Sequence, residues 1–71
     1  MTTEVRSMTA GNMWKILVKR GDTVTAGDTL FIMEVMKTEI LHLAPDNGTV
    51  STVPITEGDS VDADEVVVVL E

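Results

Sequence analysis

The sequence contains no cysteine and no tyrosine, and it holds a single tryptophan, Trp14, and a single phenylalanine, Phe31. Without thiols there is neither a disulfide framework nor a thiolate metal site, and a reducing cytoplasm suits such a chain. No apolar run approaches the roughly 20 residues that cross a bilayer. The first residues also lack the basic region and apolar stretch of a secretion signal. The expectation is therefore a cytoplasmic protein with no membrane partner. Basic side chains are missing from residues 38–71 altogether. All five (Arg6, Lys15, Lys19, Arg20 and Lys37) lie in residues 1–37 beside four acids, while residues 38–71 hold eight acids, and the net charge is −7. Such a chain would release no counterions from a phosphate backbone, which argues against nucleic acid as a partner. The acidic half keeps a small protein soluble, or steers it towards basic surfaces of larger enzymes. No acid–base pair, Ser/His grouping or metal cluster is visible, so the expectation is a protein that is not itself an enzyme.

What is present is a run of short β-type segments. At 71 residues the chain has room for one domain, 1–71, with a core small enough that local structure must help. Val, Thr, Ile and Leu recur between Gly-Asp breaks, with no stripe of period 3.6, and this predicts an all-β fold. Strands are expected over 3–8, 13–19, 29–34, 38–43, 49–55 and 65–70, with 23–24 at most a very short one. Turns are expected at 9–12, 20–22, 26–28, 44–48 and 57–59, where Gly, Pro, Asp and Asn gather. Trp14, Ile16 and Val18 share one face of the second strand, which puts Trp14 in or near the core. His42 has no nucleophile partner and reads as structural.

At a constant offset of 37, Gly11, Gly21, Asp22, Val24, Ala26 and Glu34 recur as Gly48, Gly58, Asp59, Val61, Ala63 and Glu71 without a gap. Ile16 and Val18 map onto Val53 and Ile55, and Leu17 onto Pro54, a residue tolerable only off the ladder or at an edge. Residues 1–34 are thus a pseudo-repeat of 38–71, with 35–37 between them. Each half leaves an apolar face uncovered, so the two must pack as a β-sandwich or flattened barrel of two antiparallel sheets, related by a pseudo-two-fold. If 29–34 pairs with 38–43 as a hairpin, the repeat pairs 66–71 with 1–6, near the register Thr2 opposite Glu71. The chain ends then meet at the pole opposite Lys37.

The hairpin tip falls at Met36-Lys37, where Asn-Gly or Asp-Gly would be ordinary, because a primed turn needs positive φ. A tip that breaks turn chemistry marks a residue kept for function. Its neighbourhood, Glu34-Val35-Met36-Lys37, resembles the "E-A-M-K" motif of biotinyl/lipoyl carrier domains. Three further stretches resemble the same family in order. Ser7-Met8-Thr9-Ala10-Gly11 is similar to "A-P-M-P-G", Val18 to Val24 to "V-K-x-G-D-x-V", and Ala44 to Val50 to "A-P-x-x-G-x-V". The likeness covers nearly the whole chain and is greatest to small free-standing bacterial biotin attachment proteins.

The resemblance implies the barrel-sandwich hybrid fold and a non-catalytic role. Lys37 would carry biotin as an amide, attached by a biotin protein ligase. The cofactor would move carboxyl groups between a biotin carboxylase and a carboxyltransferase, on a domain expected to be monomeric as isolated. By the same resemblance Glu34 guides the ligase, and Met36 is read by the carboxylase partners unless it simply folds back on the sandwich. Val35 and Thr38 replace the family's alanine and second methionine. Two alternatives stay open: a lipoyl carrier, which usually has Asp before the lysine, and an unmodified β interaction module.

Overall fold

The computed structural model describes residues 2–71, and within them it contains eight strands and no helix. They are β1 (Thr3–Arg6), β2 (Gly11–Ile16), β3 (Thr23–Val24), β4 (Thr29–Val35), β5 (Thr38–Leu43), β6 (Gly48–Thr52), β7 (Ser60–Val61) and β8 (Val66–Leu70). Two four-stranded antiparallel sheets run in the orders β1-β8-β6-β3 and β5-β4-β2-β7. Between them lies an apolar core in which Met13, Leu30, Phe31, Met33, Val50, Val61, Val67, Val68 and Leu70 are essentially inaccessible. Ile16 and Val18, with their mates Val53 and Ile55, pack against that core. Each large side chain so buried is worth about 1.5–3 kcal/mol, which is how a chain this short holds together.

The offset of 37 governs the pairing. β4 with β5 corresponds to β8 with β1, β2 with β4 to β6 with β8, and β2 with β7 to β6 with β3. The terminal ladder sets Thr3 opposite Leu70, Glu4 opposite Val69 and Val5 opposite Val68. That is the register expected from the repeat, which continues to Thr2 opposite Glu71; Met1 lies outside the described residues. Bulges obey the same symmetry. Leu30 is the extra residue between Thr29 and Phe31, and its mate Val67 is the extra residue between Val66 and Val68. Both extra side chains are turned into the core, 0% exposed.

A bulge also corrects the placement of Trp14. Met13 faces Met33 and Lys15 faces Ile32, leaving Trp14 as the inserted residue. The insertion puts residues before it out of phase with those after it. Met13 therefore enters the core at 1% exposure, and Trp14 stands at the surface at 43% with Lys15 Nζ 5.8 Å from its ring centroid. The strands also begin and end differently from the sequence expectation. Gly11 and Asn12 belong to β2 and not to a turn, β1 stops at Arg6, and β6 stops at Thr52, which frees Pro54 from any ladder. Ser60-Val61, expected as part of no strand, is β7, the mate of β3.

Acidic side chains close the turns that the Gly-Asp breaks mark. Asp22 accepts from Lys19 N–H at 3.0 Å and Asp59 from Thr56 N–H at 3.0 Å. In each turn the glycine is the third residue, with φ of 94° at Gly21 and 93° at Gly58, as a type II turn requires. A Cβ at either would touch nothing within 4 Å, so any penalty is conformational and not steric. Gly21→Val and Gly58→Val are each expected to lower stability by about 1–3 kcal/mol in urea denaturation. An asparagine, which tolerates this region, should lower it less.

Candidate functional site

The site is built on the β4–β5 hairpin. Val35 and Thr38 are its closing pair, and Met36 and Lys37 are the two loop residues, with φ of 50° and 66°. Positive φ at both central positions is the signature of a type I′ turn, whose twist matches that of the flanking strands. Neither residue favours the left-handed region, so tertiary pairing, not local preference, imposes the turn. Met36 is 94% exposed and does not fold back on the sandwich, and Lys37 is also exposed. Among the described residues, the one side-chain ion pair joins Arg6 to Glu4, so Lys37 is held by none.

The five residues singled out from the sequence are brought together, but not with one orientation. Val35 is half-buried, and Glu34 and Thr38 are exposed. Glu34 stands directly opposite Glu39. Like charges in that position repel across the ladder, and they put two carboxylates on the stem next to the closing pair Val35 and Thr38. Glu39 was not singled out from the sequence, although the hairpin register implies its place. A groove of about 410 Å³ runs elsewhere, between the edge strands β1 and β5, lined by Val5, Met8, Leu41, Leu43 and Pro45 among others. Lys37 is not part of it. The site is a protrusion, and a side chain presented this way can be taken into a partner's active centre. No group of three His, Cys, Asp or Glu among the described residues could hold a metal ion.

His42 is structural in its surroundings. It is 4% exposed and stacked on Phe31 with ring centroids 4.4 Å apart. Its Nε2 accepts from Met8 N–H at 3.3 Å, which ties β5 to the loop leading into β2. Nδ1 is buried without a hydrogen bond of normal geometry. Burial lowers the imidazole pKa below its ordinary 6.5, against a smaller opposing pull from the Ile40 backbone. The fold thus favours the neutral ring, and below about pH 6.5 the unfolded chain binds the proton more readily. Stability should fall as pH drops through that region, and a His42→Phe variant should lose this part of the decline. Urea midpoints at pH 7.5 and 5.5 read the difference; equal slopes for parent and variant would remove the assignment.

The family described as "Biotin-requiring enzyme", the biotin/lipoyl family, matches residues 2–70. The chain belongs to that family. Among its biotin/lipoyl relatives is a urea amidolyase of Lachancea kluyveri, 45% identical over 67 residues, which are 94% of this chain and 4% of that protein. A biotin/lipoyl attachment protein of Bacillus subtilis is 43% identical over 61 residues, covering 86% of this chain and 84% of that one. In the crystal structure of the Kluyveromyces lactis urea carboxylase, a segment superposes with a TM-score of 0.92 at 35% identity. It covers the whole of this chain and 6% of that one. The chain thus spans a small fraction of the multidomain relatives and most of the small attachment protein. In this family the biotin/lipoyl domain is a carrier and not a catalyst.

Proposed function

We propose that the chain is a biotin carrier whose attachment point is Lys37. The observation that carries this reading is the Met36-Lys37 tip. It is a two-residue turn held at positive φ by residues that do not favour it, exposed at the end of a rigid hairpin, in a member of the biotin/lipoyl family. A covalent cofactor of this kind requires no enclosing cavity. It requires an accessible amine on a support that does not collapse, and Lys37 supplies both.

In the attachment step, a biotin protein ligase presents biotin as its adenylate. Lys37 Nζ, deprotonated, attacks the carbonyl; the N–C bond forms, AMP leaves, and the amine loses its remaining extra proton to solvent. Biotin when attached supplies a carboxyl-accepting ring. The lysine's four methylenes give that ring reach, while the turn keeps the base of the arm fixed. Tethering replaces free diffusion of cofactor by a high effective concentration at each partner. The partners proposed are the ligase, a biotin carboxylase and a carboxyltransferase, because urea amidolyase and urea carboxylase are among the relatives. Glu34 and Met36 are the side chains a partner meets beside Lys37, and Val35 and Thr38 set the stem. The carrier is proposed to act in the cytoplasm and to be monomeric on its own.

The lipoyl reading uses the same fold, and Met36 before the lysine speaks against it. Intact mass after incubation with ATP and either biotin plus biotin ligase or lipoate plus lipoate ligase distinguishes the two. One biotinyl group, mapped to Lys37 by peptide sequencing, is the expected result. A lipoyl group instead would reassign the cofactor, and no adduct from either ligase would leave an unmodified interaction module.

A further inference from the structure

Gly11 lies in β2 where β4 passes from Glu34 into the hairpin tip. A Cβ built there would stand 2.7 Å from the Glu34 carbonyl oxygen and 2.7 Å from Val35 Cγ2. Real Cβ atoms do not approach so closely, so the β2 backbone is in bare contact with the last residue before the turn. On its other side Gly11 pairs with Val61 in β7. The half-buried Val35 is thereby seated on a backbone that is itself fixed in the sheet. Val35 is also one half of the pair that closes the Met36-Lys37 turn. Because neither tip residue favours positive φ, the turn has to be held from its stem, and this contact is the stem's seat.

We propose that Gly11 is a positioning residue for the Lys37 turn: by admitting Val35 against the β2 backbone, it fixes the direction in which Lys37 is presented. The proposal rests on Lys37 being the attachment site. The pseudo-two-fold supplies a control. Gly48, its mate, makes the equivalent approach at the opposite pole, where a Cβ would lie 2.9 Å from the Glu71 carbonyl oxygen and 3.4 Å from Leu70 Cβ. A purely structural glycine would behave alike at both positions. A positioning one would differ, because only Gly11 supports the turn.

Gly11→Ala and Gly48→Ala are compared by thermal melting and by kcat/KM for attachment with purified biotin ligase, biotin and ATP, at a temperature where both are folded. Both variants should melt lower, Gly11→Ala by more, because its Cβ would meet two atoms at 2.7 Å where that of Gly48→Ala meets one at 2.9 Å. Attachment should fall about tenfold or more in Gly11→Ala, a misplacement effect, and stay near parental in Gly48→Ala. Val35→Ala, which removes the opposing methyl, should restore part of the rate in the Gly11→Ala chain. Equal rates for the two glycine variants, or no recovery with Val35→Ala, would overturn the proposal. A parent chain that takes no biotin at Lys37 would instead refute the function on which it rests. If Gly11→Ala does not fold, the comparison moves to an Asp64→Gly background. Asp64 has φ 67° where its mate Gly27 has 94°, so glycine there relieves strain. A chain still unfolded in that background would make Gly11 a residue of the fold alone and also overturn the proposal.

Discussion

Lys37→Arg is expected to take up no biotin at all while melting almost as the parent does. The chemistry decides the first half. A guanidinium stays protonated and delocalised at neutral pH and offers no amine lone pair, so no amide forms. The structure decides the second half. Lys37 is exposed and takes part in no ion pair among the described residues, and arginine would meet the same φ of 66°. Surface exchanges of this kind stay within about 0.5 kcal/mol. The two other lysines are poor substitutes: Lys15 lies over the Trp14 ring on β2, and Lys19 opens the turn closed by Asp22. Streptavidin blotting and intact mass after incubation with ligase, ATP and biotin read the outcome. Biotin on the Lys37→Arg chain would move the attachment site to one of them.

The same hairpin shows why some of this molecule is legible from its residues and some is not. The repeat at offset 37 is a property of the whole chain, and it carries long-range information. From it the pairing of the first strand with the last follows, as does the register that sets Thr3 opposite Leu70. The hairpin follows from the shortness of the connection, residues 35–37, between two β segments. Bulges break the inference, because period-2 alternation assumes an uninterrupted ladder. Alternation places Trp14 in or near the core, yet the bulge leaves it at the surface, and Leu30 and Val67 are buried against the alternation. The repeat does pair these positions, Trp14 with Ser51 and Leu30 with Val67, yet pairing alone does not say which residue is the insertion. Gly11 failed for another reason. A glycine can mean positive φ or close approach, and only coordinates separate the two; here it is the contact with Glu34 and Val35 that matters. Similarly, Ser60-Val61 has too little β character to be read as a strand by itself, and it becomes one by pairing with Gly11 and Asn12.

Replacing Met36 by asparagine and Lys37 by glycine should make the domain more stable and leave it unable to carry biotin. The turn holds both residues in the left-handed region, at φ of 50° and 66°, where an ordinary side chain crowds its own backbone. Asn-Gly relieves that crowding without altering the closing pair Val35 and Thr38, since it is the sequence that type I′ turns prefer. Met36 is 94% exposed, so its removal forfeits almost no buried area. Lys37 forfeits no ion pair. With nothing lost from packing, the expected gain is about 1–2 kcal/mol. For a domain of this size each kcal/mol raises the melting temperature by roughly 4–8 °C. Attachment vanishes because no amine remains at the tip, and the two properties therefore move in opposite directions in one variant. A double variant that melts no higher than the parent would leave Lys37 as the attachment site but show that the turn stores no strain. A higher melting temperature with attachment lost means that the chain keeps a less stable turn because the lysine must stand there.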